Sequence, residues 1–189
     1  MNLKNYYWYY QKAVPDNVCD NIIKYGLQTK EQMAVTGGFG NNKLDRDQVK
    51  DLKKKRDSNI VWLSENWIYK ELHPFIRQAN NNAGWNFQWD FSESCQFTKY
   101  NKKQYYDWHC DSWEVPYNNP HNPQTHGRIR KLSVTLSLSD EKDYKGGELE
   151  FDFRNLDPDK KRNTRICTEI RPKGSRYSLV IWNLGWPFT

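Results

Sequence analysis

His109 and Asp111 stand two residues apart in the stretch Gln104-Tyr105-Tyr106-Asp107-Trp108-His109-Cys110-Asp111-Ser112-Trp113. An imidazole nitrogen and a carboxylate oxygen at this spacing supply two of the three donors of the two-His, one-carboxylate set that holds non-haem Fe(II). The stretch is crowded with aromatic residues and free of Gly and Pro, so it reads as a β-strand. Strand side chains alternate between faces. Tyr105, Asp107, His109 and Asp111 are therefore expected on one face, with Tyr106, Trp108 and Cys110 on the other, against a core. A His-x-Asp triplet alone also suits an exposed strand face. Its meaning depends on what else the chain brings to it.

Two other strands bring candidates. Residues 176–183 alternate so that Arg176, Ser178, Val180 and Trp182 share a face. A cation in a partly buried strand needs an anionic partner, and the planar guanidinium matches a carboxylate with two parallel hydrogen bonds. A ligand carboxylate would serve, and so would an ordinary salt bridge to Glu148, Glu150 or Asp152. Residues 131–138 place Leu132, Val134, Leu136 and Leu138 on one side and Ser133, Thr135 and Ser137 on the other. The small polar face can line a pocket or meet solvent. His73 reads as a surface or packing histidine. His121 and His126 read as solvated members of a polar loop over residues 116–128.

The elements that must position these residues follow from pattern. Residues 6–10, all aromatic, suggest a first strand. A helix is expected from Pro15 and Asp16, capped by Asp16, with Val18, Cys19, Ile22 and Ile23 as its apolar stripe and Gly26 at its end. The turn residues of 36–42 mark a loop, either a flap or a plain connector. Residues 52–56 are charged, and a longer helix over 64–81 must kink or restart at Pro74. Strands are expected at 84–90, 95–100, 131–138 and 148–153, with an extended stretch at 167–171. Helices early and strands late give an α+β class, mainly β with flanking helices.

Composition bounds the rest. The 189 residues include nine Trp and twelve Tyr, enough to bury a core in a single domain. Residues 1–83 would be helical support and 84–189 the β core. The net charge of +6 is dispersed apart from Lys53-Lys54-Lys55-Arg56, which reads as a solvated helix face rather than a nucleic-acid surface. Cys19, Cys95, Cys110 and Cys167 form no Cys-x-x-Cys pair, so neither zinc nor a disulfide framework is indicated. No signal peptide or membrane span is evident, and a reducing, cytoplasmic setting is the expectation.

Several segments stand in a familiar order. They are Gln96-Phe97-Thr98-Lys99-Tyr100, Tyr106-Asp107-Trp108-His109-Cys110-Asp111, Arg130-Lys131-Leu132-Ser133-Val134-Thr135-Leu136, Tyr144-Lys145-Gly146-Gly147-Glu148-Leu149 and Lys173-Gly174-Ser175-Arg176-Tyr177-Ser178-Leu179. With the Pro15-Asp16 helix, this order resembles the Fe(II)- and 2-oxoglutarate-dependent dioxygenases, in the branch similar to prolyl 4-hydroxylases. The resemblance covers nearly the whole chain. It implies a double-stranded β-helix, or jelly roll, with helices outside one sheet. It implies His109 and Asp111 as iron ligands, Arg176 pairing with the distal carboxylate of 2-oxoglutarate, Tyr100 helping to hold that cosubstrate, and Trp182 walling the pocket. It implies hydroxylation of a protein or peptide side chain, prolyl among the candidates, coupled to decarboxylation of 2-oxoglutarate to succinate. Ascorbate is the implied reductant.

One departure stands out. The family carries a second metal histidine on a later strand, before the arginine strand, yet no histidine follows His126 here. Pro172-Lys173-Gly174-Ser175 runs directly into Arg176-Tyr177-Ser178, as though two similar turns were joined and the strands between them lost. Three expectations compete. An internal deletion leaves an incomplete β-helix near the C-terminus and an impaired enzyme. Alternatively, His121, His126 or Cys167 takes the place of the missing ligand. In the third, the chain is a metal-free binding module on the old fold.

Overall fold

The computed structural model describes residues 3–35, 44–112, 115–151, 164–167 and 175–188, with only the backbone described for 164–167. The expected flap at 36–42 and the junction at 172–174 lie outside the described residues.

Three helices form. α1 (Asp16–Gln28) starts after Pro15, whose extended backbone precedes the first turn; no side chain caps it, so Asp16 is its first residue and not its cap. It runs past Gly26, which faces the Phe97 ring: a Cβ there would sit 2.7 Å from the ring carbons. Glycine at this point lets the helix lie close on the sheet. α2 (Arg46–Lys55) opens with a capping box in which Asp45 and Gln48 satisfy each other's backbone N–H. α3 (Asn66–Asn82) continues through Pro74 as one element. Its buried stripe of Ile68, Leu72 and Ile76 holds it against the sheet despite the missing donor.

Among the described residues ten strands form two antiparallel sheets. They are β1 (Gln32–Met33), β2 (Arg56–Asp57), β3 (Asn59–Leu63), β4 (Phe91–Ser92), β5 (Cys95–Tyr100), β6 (Tyr105–His109), β7 (Ile129–Ser137), β8 (Glu148–Phe151), β9 (Thr164–Cys167) and β10 (Arg176–Gly185). The larger sheet runs β1-β3-β5-β10-β4, with β7 on the other edge of β10; the smaller runs β2-β6-β9-β8. Residues 1–83 are thus not helical support alone, since β1 and β3 extend the larger sheet.

Residues 6–10 form no strand. Their rings find one another and the body of the protein instead: Tyr7 stacks on Phe151, and Tyr10 meets Phe75 edge-on and donates to Gln78. Residues 84–90 are irregular as well, because Gly84 and Asn86 take left-handed backbone conformations that a strand does not allow. Their aromatic alternation reflects packing of Trp85, Phe87 and Trp89 on the core edge.

The larger sheet has two unlike faces. Val61, Leu63, Phe97, Leu179 and Ile181 point to the helices and form the core with Ile22, Ile68, Leu72 and Ile76. The opposite face follows from register: Trp62 pairs with Gln96, Ser178 with Thr98 and Ser137, Arg176 with Tyr100, and Trp182 with Ser133. This face is polar yet largely shut off from water, with Gln96, Thr98, Tyr100, Arg176 and Ser178 all buried. Buried polar side chains in such number line a ligand cavity more readily than they fill a core.

His73 ties α3 to the sheet through a short relay. Ser92 donates to Asn183 Oδ1 at 2.8 Å, so the Nε2–H of His73 donates to Ser92 Oγ at 3.1 Å. Burial first, and Arg77 second, hold the imidazole pKa below its ordinary value. The folded state therefore resists protonation that the unfolded chain accepts near pH 6.5. The stabilising contribution is complete above that pH and is lost as pH falls through the depressed folded value. Urea midpoints measured from pH 7.5 to 5 should fall more steeply for the wild type than for His73→Gln.

Candidate functional site

β6 carries the metal-type pair, but not with the simple alternation its sequence suggests. Its ladder with β9 shifts register between Tyr106 and His109. The irregularity turns Tyr106 and His109 to the same side, where their rings stack with centroids 3.5 Å apart. Asp107 and Cys110 are exposed, so Asp107 does not join His109 and Cys110 does not pack on a core. Asp107 contributes its backbone: its carbonyl lies 2.8 Å from His109 Nδ1. A carbonyl only accepts, so Nδ1 carries the proton and Nε2 is left with a lone pair in the neutral ring.

That Nε2 lies 3.3 Å from Asp111 Oδ1. The other carboxylate oxygen accepts a hydrogen bond from Ser133, and Arg130 Nη1 donates to the Asp111 carbonyl at 2.9 Å. Burial would raise the Asp111 pKa, but the Ser133 hydrogen bond and a proton on His109 Nε2, when the ring carries one there, outweigh it and hold the carboxyl at about 2. The Trp182 indole N–H, which has no hydrogen-bond partner among the described residues, adds a smaller lowering effect. The carboxylate is therefore charged at neutral pH. A lone pair and a carboxylate oxygen this close repel unless a proton or a cation lies between them. A divalent metal fits that gap chemically.

The donor set stops at two. Among the described residues no group of three His, Cys, Asp or Glu side chains could hold a metal. β9 runs beside the pair, with Thr164 opposite His109, and its sequence contains no histidine. Cys167 pairs with Tyr105, at the far end of β6, about 13 Å along the strand from His109. His126 is exposed and spends Nδ1 on the Asn119 N–H of its own loop, and His121 is exposed beside it.

Arg176 lies deeper, on β10. It is 4% exposed, and neither its Nε nor its Nη1 finds a hydrogen-bond partner among the described residues. Glu148 and Glu150 are exposed and form no salt bridge with it; Asp152 lies outside the described residues. The guanidinium sits between the rings of Tyr100 and Tyr144, at 5.8 and 5.9 Å. A buried cation with two nitrogens free among the described residues fits an incoming carboxylate. Burial raises the Tyr100 pKa, while Arg56 and Arg176 pull it back and Asp111 pushes it further up. Tyr100 thus feels both ends of the site. Trp182 is buried beside them, 6.1 Å from the partly exposed Trp62 and 3.8 Å under the Arg130 guanidinium.

Arg56 is the residue that the sequence reading placed on a solvated helix face. It begins β2 and is buried, donating to Ser58 at 2.9 Å and lying 4.3 Å over the Tyr106 ring. Its Nη2 has no partner among the described residues. A run of four basic residues hides the one that turns inward; the only hint is the Ile60-Val61 strand signal that follows.

The comparisons with known proteins agree with this layout. Residues 95–185 match the model of the 2OG-Fe(II) oxygenase superfamily, and this span contains His109, Asp111, Tyr100, Arg176 and Trp182. No curated protein matches the sequence. Among solved structures, the viral collagen prolyl hydroxylase vCPH from Paramecium Bursaria Chlorella virus-1, in its 2OG complex, is similar at 16% identity. Its TM-score is 0.58, over 93% of this chain and 94% of that one. A truncated form of the same viral enzyme is similar at 15% identity and TM-score 0.54, over 93% and 87% of the two chains. At this identity the likeness is one of fold, and that fold is the expected mainly β jelly roll with flanking helices. Over residues 95–185, just under half of the chain, the protein resembles the 2OG-Fe(II) oxygenase superfamily, and by this resemblance it is an oxygenase.

Proposed function

We propose that this chain is an Fe(II)- and 2-oxoglutarate-dependent hydroxylase acting on a protein or peptide side chain, with prolyl the first candidate. One observation carries the reading. A histidine lone pair and a carboxylate oxygen 3.3 Å apart lie on the same face as a buried guanidinium whose Nε and Nη1 have no partner among the described residues. His109 Nε2 and the Asp111 carboxylate would hold Fe(II). Arg176 would take the distal carboxylate of 2-oxoglutarate, Tyr100 would orient it, and Trp182 would wall the pocket. When bound, Fe(II) would supply oxidative decarboxylation of 2-oxoglutarate coupled to hydroxylation of a C–H bond.

The chain's own residues do the positioning. The Asp107 carbonyl fixes the His109 tautomer, and Ser133 occupies one Asp111 oxygen and leaves the other free. Trp62 offers a flat apolar face at the mouth, beside Trp182. A prolyl ring would lie on such a face, and the similar viral enzyme is a collagen prolyl hydroxylase by name. We propose ascorbate as the reductant and a reducing, cytoplasmic setting for the single domain. Among the described residues no helix is long and apolar enough to cross a membrane.

The test is turnover. Purified protein with Fe(II), ascorbate and 2-oxoglutarate should release succinate, and a proline-rich peptide should raise the rate and gain one oxygen by mass. A second reading rests on β9, which lacks histidine beside His109: a catalytically impaired binding protein on the oxygenase fold. Cosubstrate binding without any succinate would favour it.

A further inference from the structure

We infer that Arg130 is a positioning residue that fixes Asp111 through the main chain, an assignment that rests on reading Asp111 as a metal ligand. The residue stands on β7, and its fork makes three directed hydrogen bonds. Nε and Nη2 grip the two oxygens of Glu93 at 2.9 and 2.7 Å, and Nη1 reaches the Asp111 carbonyl at 2.9 Å. The plane rests 3.8 Å over the Trp182 ring. Glu93 is held from the other side by the Tyr117 hydroxyl at 2.9 Å. Ser112, next to Asp111, donates back to the Arg130 carbonyl at 3.1 Å.

The arrangement solves a local problem. β6 ends at His109, so Asp111 lies just past the last ladder pair and has no strand partner among the described residues. A carboxylate on unpaired backbone would swing, and a metal would have to order it on binding. Two reciprocal bonds between residues 111–112 and Arg130 replace the ladder, and Ser133, three residues along β7, steadies the carboxylate itself. The same strand thus holds Asp111 at both backbone and side chain. Lysine cannot reproduce this, because a single ammonium cannot meet Glu93 bidentately and still reach the carbonyl in a fixed plane.

Arg130→Lys should weaken Mn(II) binding roughly 10- to 100-fold in an EPR titration without peptide or 2-oxoglutarate. Amide hydrogen exchange at Asp111 and Ser112 should accelerate about tenfold or more in the metal-free protein. Glu93→Gln, which keeps one acceptor for the fork, should fall between the two and serves as the test if Arg130→Lys does not fold. Unchanged Mn(II) affinity and unchanged exchange at 111–112 would overturn the inference and leave Arg130 a packing or substrate-contact residue. Faster exchange in the variant of a protein that binds no Mn(II) at all would uphold the positioning of Asp111 and sink the metal reading instead.

Discussion

Asp111→Ala is expected to reduce succinate release from 2-oxoglutarate by more than about a hundredfold. Changes one step removed from a metal already cost roughly 10- to 100-fold in affinity or activity. Here the ligand itself goes, from a set that counts only two among the described residues. Water would have to replace a carboxylate that is charged at neutral pH, held at about 2 by His109 and Ser133 against its burial. The informative control is Asp107→Asn. The alternation of an ideal strand puts Asp107 beside His109, so its carboxylate would be a rival ligand. In the folded chain the side chain is exposed and only the backbone carbonyl meets His109. Asp107→Asn should therefore keep wild-type activity in the succinate assay.

Arg176→Met should produce two effects of opposite sign. Truncating one partner of a buried, hydrogen-bonded charge pair costs about 2–5 kcal/mol. At about 1.4 kcal/mol per factor of ten, KM for 2-oxoglutarate should rise roughly thirty- to several-thousandfold. The fold itself should gain. A buried cation whose Nε and Nη1 have no partner among the described residues is a cost to the ligand-free protein, and an apolar side chain of similar length removes that cost. The thermal midpoint without 2-oxoglutarate should therefore rise. A fall in that midpoint would mean that Arg176 has a structural partner in the protein and is no free ligand site.

The parts of the molecule legible in sequence are those where one physical pattern dominates. β5 has the bounds the sequence suggests, and the serine and threonine face of β7 lies on the same side of the sheet as the arginine face of β10, with Ser133 and Ser137 still exposed. Arg176 and Trp182 share a face because period two survives along β10 as far as Asn183, where the register shifts. The His-x-Asp pair was legible by type and spacing, but its geometry was not. A register shift between Tyr106 and His109 decides which neighbours share its side, and no residue between them announces it. Arg56 was missed because charge runs follow solvent on average, and one member of this run is captured by Ser58, Gln96 and Tyr106. Residues 6–10 carry strand propensity without a partner strand, so the aromatic rings pack and the backbone does not pair. Pro74 fails to break α3 because tertiary burial on both sides of it outweighs one lost donor.

The most direct test is anaerobic calorimetry of the purified protein with Fe(II) followed by 2-oxoglutarate. One equivalent of Fe(II) should bind, followed by one equivalent of 2-oxoglutarate whose heat disappears in both Asp111→Ala and Arg176→Met. Absence of Fe(II) binding, or 2-oxoglutarate heat that survives both substitutions, would contradict the proposed site.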